Sequence, residues 1–202
     1  MRKWFPSIYD KVMNPIERRA FYSIRKQLIG KAEGKVLEIG AGSGVNFPYY
    51  KKAQEVHAIE PNMYMQKRAV NKLQSAAIPI HFYEASAEKL PFADNSFDTV
   101  VATLVFCTIP DVLKAFKEIE KVSKPDATLL LFEHVRMSEK PFLAKLQDVL
   151  TPGWKRVCDG CHLNREPLEL LQQTRFLVKE PIYYFGGLFV TVEATNSKEC
   201  SK

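Results

Sequence analysis

The chain has 202 residues, 46% hydrophobic and 26% charged, the balance of one globular domain that buries about 70% of its unfolded surface without a disulfide framework. Its net charge of +6 lies wholly in residues 1–31, which carry eight basic and two acidic side chains, so the neutral body is not that of a nucleic-acid binder. No apolar stretch approaches the roughly 18 residues of a spanning helix. Met1-Arg2-Lys3-Trp4-Phe5-Pro6 lacks the apolar run of a signal peptide. The four cysteines, Cys107, Cys158, Cys161 and Cys200, are therefore expected as reduced thiols of a cytoplasmic protein.

In chain order, Ile8 to Ile29 reads as one or two helices broken near Asn14-Pro15. Lys35 to Ile39 reads as a buried strand running into the glycine turn Gly40-Ala41-Gly42-Ser43-Gly44. A second strand, Glu55 to Ile59, ends at Glu60, and Pro61-Asn62 opens a helix reaching about Ala76. Strands follow at Ile80 to Tyr83, Phe97 to Ala102 and Ala127 to Phe132, with a helix from Asp111 to Val122 before the last. Strands alternating with helices predict an α/β domain with a mostly parallel sheet and helices on both faces. Phe176 to Phe185 and Leu188 to Ala194 are β-rich and flank Gly186-Gly187, which predicts a closing antiparallel hairpin with a two-residue turn. The expectation is one Rossmann-like domain over residues 1–202 with seven strands. Residues 1–31 form a basic helical lid and residues 134–170 an insertion on the substrate side.

The glycine turn has three readings. A dinucleotide dehydrogenase wants a further glycine where Val45 stands. A plain structural turn would not need an acid 20 residues after Gly40, at Glu60, where ribose hydroxyls can be bound. A nucleoside without phosphate suits Glu38, because a carboxylate beside the turn repels pyrophosphate and favours a cation.

Val36 to Gly44, with Glu60, Ala85 to Phe92, Asp94 to Asp98 and Lys121 to Ala127, resembles in order four motifs of the class I S-adenosylmethionine-dependent methyltransferases. The resemblance covers residues 34–134. It implies S-adenosyl-L-methionine as cofactor, bordered by Glu38, Gly40, Gly42, Gly44, Glu60, Pro61, Ser86, Ala87, Thr103 and Leu104, with Tyr9 in a lid over its methionine end. Ser86 stands where many members carry Asp for the adenine amino group. Thr103 to Cys107, Glu133-His134-Val135, Trp154, and Asp159-Gly160-Cys161 through Glu166 are similar to the small-molecule alkyl thiol methyltransferases. The basic N-terminus is similar to that of bacterial phospholipid N-methyltransferases. The implied acceptor is a small lipophilic nucleophile, foremost a thiol. Alternatives are a phospholipid or quinone at a membrane surface, or a non-catalytic S-adenosylmethionine-binding role.

In open α/β sheets ligands lie beyond the carboxyl ends of the strands. His134, at the end of the fifth strand, is the first candidate base, and Asp159 the second. Cys158-Asp159-Gly160-Cys161 admits a redox pair, a metal site or plain packing. A structural zinc site needs four ligands and no second C-x-x-C exists, so no metal is expected. Phe47, Tyr49, Tyr50, Phe106 and Trp154 offer aromatic surface for an apolar acceptor or for the core. Thr103-Leu104-Val105-Phe106 is not the Asn/Asp-Pro-Pro-aromatic run of base methylation. The expected partner is a small-molecule acceptor, with no nucleic acid, peripheral contact with anionic membrane, and a monomeric chain.

Overall fold

The computed structural model describes residues 17–74 and 76–199. The expected lid is seen only from residue 17 onward, and Tyr9 lies outside the described residues. A π-helical turn, Glu17–Phe21, leads into α1 (Tyr22–Ile29). Phe21, Ile24, Leu28 and Ile29 turn inward from it and are buried.

The strands are β1 (Glu33–Ile39), β2 (Lys52–Ile59), β3 (Ile80–Tyr83), β4 (Phe97–Thr103), β5 (Ser123–His134), β6 (Phe176–Val178), β7 (Ile182–Tyr184) and β8 (Phe189–Asn196). They form one sheet in the order β3-β2-β1-β4-β5-β8-β6, with β7 also on β8. The first five pair in parallel, and β8 runs antiparallel to β5, β6 and β7. Helices α2 (Met63–Leu73), α3 (Val112–Val122), α4 (Pro141–Val157) and α5 (Pro167–Leu171) complete the chain. One core packs α3 and α5 against Leu37, Ile39, Val100 and Leu129. The other packs α1 and α2 against Val36, Val56, Val101 and Leu130. The parallel strands are covered on both faces, which explains why their sequences are continuous apolar runs rather than alternating ones.

The sheet has eight strands, not the expected seven. The segment 176–185 divides because Lys179, Glu180 and Pro181 interrupt it, and proline offers no N–H to a ladder. β6 meets Ala194–Asn196 and β7 meets Phe189–Thr191, so the two short strands share one edge of β8 and the sheet is seven strands wide. The closing hairpin is present, but its turn holds four residues rather than two, because Tyr184 pairs with Phe189. Phe185, Gly186 and Gly187 all have positive φ there.

The sheet order reverses between β1 and β4, which opens a crevice at their carboxyl ends. The glycine turn, Glu60, Thr103 and His134 all stand at that end.

Among the described residues, one face of α4 is largely exposed. Phe142 (79% exposed), Leu146, Val149 (68%), Leu150, Trp154 and Val157 are all exposed and fall on one stripe at helical spacing. Ala144, Gln147 and Thr151 form the buried side. No helix of the described residues is long and apolar enough to cross a membrane.

Candidate active site at the crevice between β1 and β4

The glycine turn is crowded at its two ends and least crowded in the middle. A Cβ on Gly40 would sit 2.2 Å from Val105 Cγ2, and one on Gly44 2.6 Å from the Phe47 ring. At Gly42 the nearest atoms would be 3.9 Å away, an ordinary contact distance, so this is the least crowded point of the turn and the place where a ligand can approach the backbone. All three glycines have positive φ, a conformation that other residues adopt only under strain.

Glu60 is 8% exposed. Its Oε2 accepts from the Gly42 N–H at 3.0 Å and its Oε1 from the Asn62 N–H at 2.8 Å. The carboxylate is thereby locked beside the turn, with remaining lone pairs toward the crevice. Burial raises its pKa, the two N–H contacts oppose that, and the charge of Asp159 raises it further. Asp159 therefore lies within electrostatic reach of Glu60, on a turn where it and Gly160 both have positive φ. Asn62 also caps α2, its Oδ1 accepting from the Tyr64 N–H at 3.0 Å. Pro61 is exposed between these two residues.

Glu38 is 1% exposed. Its Oε1 accepts from Asn46 Nδ2 at 2.8 Å, while its Oε2 has no partner. Burial lifts its pKa from 4.5 to about 7, against the lowering effects of Asn46, Tyr50 and Arg25. Arg25, from α1, donates to Asn46 Oδ1 at 2.7 Å and to Thr103 Oγ1 at 2.8 Å. Asn46 Nδ2 also donates to Thr103 Oγ1 at 3.0 Å. A buried carboxyl with one free oxygen and a raised pKa is a prepared seat for a cation.

On the adenine side, Ser86 is exposed, and its Oγ lies 3.2 Å from Glu88 Oε2 and accepts from the Glu88 N–H at 3.2 Å. Ala87 is buried in the core beside Leu90 and Ile59. Both residues stand on the loop after β3. Of the five aromatic residues, Phe47, Tyr50 and Phe106 are fully buried core side chains, Tyr49 is half-buried and Trp154 is exposed.

The acceptor side is built around the end of β4. Leu104 takes φ 53°, which redirects the chain so that the N–H groups of Val105 and Phe106 converge on Glu133 Oε1, at 2.8 and 3.1 Å. Glu133 is 1% exposed, and burial lifts its pKa to about 7. The same turn presents Cys107 inward, 5% exposed.

The loop after α4 is fastened to that turn. His162 donates its N–H to the Cys107 carbonyl at 2.9 Å. Arg165 donates to the carbonyls of Phe106 and Ile109. Gln147, buried in α4, accepts from the Met137 N–H at 2.8 Å and donates to the carbonyls of Val135 and Leu163 at 3.1 and 2.9 Å. These contacts bring Cys161 to His134, with Sγ to Nε2 at 3.4 Å, and to Cys107. The Cys107 contact holds the Cys161 thiol well below the usual thiol range against burial, aided by His134 and Trp154. The same contact, with burial, pushes Cys107 up. Burial pulls the His134 imidazole down, but its contact with Cys161 outweighs this and the net shift is upward. Cys158 is pushed up to about 11 by burial and by the charge of Cys161. The two thiols of the C-x-x-C are thus shifted in opposite directions, Cys158 up and Cys161 down.

The family description "Methyltransferase domain" matches residues 37–131, from within β1 to within β5. The thiol S-methyltransferase TMT1B of Rattus norvegicus is 34% identical over 166 residues, which cover 79% of this chain and 67% of that protein. The chain belongs to the class I S-adenosylmethionine-dependent methyltransferases. Its cofactor is S-adenosylmethionine, and the uncrowded backbone of Gly42, the held Glu60 and the free oxygen of Glu38 fit that cofactor. The methyltransferase is also 27% identical over 150 residues to the phosphatidylethanolamine N-methyltransferase of Cereibacter sphaeroides, covering 70% of this chain and 73% of that one. In fold it matches a crystal structure from Thermotoga maritima described as an S-adenosylmethionine-dependent methyltransferase and possible histamine N-methyltransferase. The TM-score is 0.72 at 21% identity, with 97% of each chain covered.

Several of the residues that shape this site are absent from the sequence reading. Arg25 and Asn46 have no motif of their own, and their roles follow from contacts between elements distant in the chain. Glu133 enters the sequence reading only within the Glu133-His134-Val135 likeness, although a carboxylate inside an apolar strand is itself a signal of a buried partner.

Proposed function

We propose that this methyltransferase moves a methyl group to the sulfur of a small lipophilic thiol. The observation that carries the reading is the length of the likeness to a thiol S-methyltransferase. At 166 residues it runs well beyond residues 37–131, which hold the cofactor motifs. The cofactor supplies a methyl group on a sulfonium, with a good leaving group built in. The protein's task is to hold the acceptor sulfur in line behind the methyl carbon and to favour its thiolate.

In this reading Gly40, Gly42 and Gly44 admit the cofactor, Glu60 accepts from its ribose hydroxyls, and Glu38 faces its charged methionine end beside Thr103 and Leu104. Pro61 and the Ser86-Ala87 loop border the adenosine. His134 and Asp159 are the polar groups of the acceptor side, and Trp154 supplies apolar surface. The test is methyl transfer from isotopically labelled cofactor to a panel of aliphatic thiols, phenols, amines and phosphatidylethanolamine. Turnover on thiols above the others is the expected result, and transfer to none of them overturns the reading.

Glu38 sets a pH dependence. With a pKa of about 7, its carboxyl is largely protonated at pH 6 and largely ionised at pH 8. A cation bound beside it favours the ionised form, so cofactor affinity is expected to rise across that interval with release of a proton. Calorimetry in buffers of different ionisation enthalpy reads that proton directly. Glu38→Gln should flatten the rise; an unchanged slope would place the proton elsewhere.

The exposed face of α4 favours a second reading, in which the acceptor is drawn from a lipid surface. Lys145 and Arg156 are exposed at one edge of the apolar stripe, as in helices that lie in an anionic interface. Co-sedimentation with phosphatidylglycerol vesicles is expected to exceed that with phosphatidylcholine vesicles at least several-fold. Val149→Glu should abolish it, and equal binding by that variant would remove α4 from the interaction.

A further inference from the structure

We propose that Cys107, His134 and Cys161 form a zinc site whose open fourth position takes the sulfur of the acceptor, an inference that rests on the thiol reading above. The three side chains come from three separate elements: the turn after β4, the end of β5 and the loop after α4. Their ligand atoms, two sulfurs and one imidazole nitrogen, all lie within 4.8 Å of one another, and Cys161 Sγ is 3.4 Å from His134 Nε2. Zinc bonds sulfur at about 2.3 Å and nitrogen at about 2.0 Å, so tetrahedral coordination needs donor atoms about 3.5–3.8 Å apart. The cluster needs only small movements to close on the ion.

Three protein ligands are the number found where zinc keeps a position for substrate, whereas structural zinc is closed by four. Two thiolates and one imidazole suit zinc and other soft cations rather than magnesium or calcium. The loops that carry the two cysteines are held by contacts of their own. The Cys107 carbonyl accepts from the His162 N–H at 2.9 Å, with the His162 ring Nδ1 at 3.1 Å. Arg165 fixes the carbonyls on either side of that turn. A second group of close donors, Glu55, His57 and His81, lies nearer the surface and offers a carboxylate and two imidazoles instead of two thiols. Cys158 is not among the clustered donors; only the second cysteine of the C-x-x-C takes part.

The reaction balances without another reagent. The acceptor thiol binds zinc and gives its proton to solvent. Its sulfur then attacks the cofactor's methyl carbon, forming the new S–CH₃ bond. The old S–CH₃ bond breaks with its electron pair left on the cofactor sulfur. The resulting thioether is a weaker ligand than a thiolate and leaves.

The test uses the full chain, stripped with a chelator and reloaded with zinc. Bound metal is measured by elemental analysis, and cadmium substitution is followed by sulfur-to-cadmium charge-transfer absorbance. One equivalent of zinc is expected in the wild type and in Cys158→Ser, and well under one-tenth of an equivalent in Cys161→Ser. Cys107 is buried and its replacement could disturb the fold, so the partly exposed Cys161 and the wild-type cadmium spectrum carry the test. Stripped protein should methylate a small aliphatic thiol about 100-fold more slowly than reloaded protein. Full thiol methylation by stripped protein without stoichiometric metal overturns the zinc site and leaves the thiol reading standing. Stoichiometric zinc lost on Cys161→Ser, without methylation of any thiol, supports the site and overturns the thiol reading and the acceptor role built on it.

Discussion

Replacing Glu60 by Ala is expected to weaken S-adenosylmethionine binding by about 2–4 kcal/mol, the worth of one or two hydrogen bonds to a charged acceptor. Glu60 is held on both oxygens by backbone N–H groups, from Gly42 and from Asn62. The carboxylate therefore reaches the ligand in one orientation, and little conformational freedom is lost on binding. Removing it also leaves those two N–H groups without an acceptor, next to the least crowded glycine of the turn. Glu60→Gln separates the contributions. It retains one acceptor for the backbone but loses the charge, and should fall between the wild type and Glu60→Ala. Titration calorimetry with the cofactor gives the numbers, and equal affinity across the three proteins would remove Glu60 from the ribose.

His134→Ala is expected to lower turnover by about 10²–10⁴ with cofactor affinity nearly unchanged. The reason is spatial. His134 ends β5 and meets Cys161, whereas the residues assigned to the cofactor stand on the turns after β1, β2 and β3 and at the end of β4. A change at His134 should therefore act on the acceptor step and not on the first binding event. Single-turnover measurements with cofactor bound in advance distinguish the two. An equal loss in cofactor affinity would instead make His134 part of the cofactor wall, and wild-type turnover would reduce it to scaffold. Asp159→Asn is a useful companion. Because Asp159 acts electrostatically on Glu60, any effect it has should be seen in cofactor binding as well as in turnover.

The cofactor half of the crevice was legible in the sequence because its signals are local. A continuous apolar run, three glycines at alternate positions and an acid at the next strand end occupy about 25 residues, and backbone geometry alone joins them. The acceptor half was not legible in the same way. Cys107 and Cys161 are far apart in the chain, and what unites them is a set of contacts that their separate segments do not announce: Arg165 on two carbonyls, His162 on a third, Gln147 pinning α4. The Arg25–Asn46–Thr103 network is equally non-local. The split of the penultimate strand was different. Pro181 was visible in the sequence, and its missing N–H was reason enough to expect two short strands there.

The pairing of β5 with β8 has a consequence for how the enzyme comes into being. β5 ends at His134, and its antiparallel neighbour begins at Phe189, the residue paired with His134 itself. The strands β1 to β5 and their helices emerge from the ribosome first and contain the segment that recognises the cofactor. The far side of β5 stays an open edge until the last strand is made, and open edges in emerging chains invite wrong partners. A nascent chain arrested near residue 170 would therefore carry all the described residues assigned to the cofactor and the acceptor while β5 still lacks its antiparallel partner. Binding of S-adenosylmethionine to such a chain would steady the early half while synthesis finishes the rest.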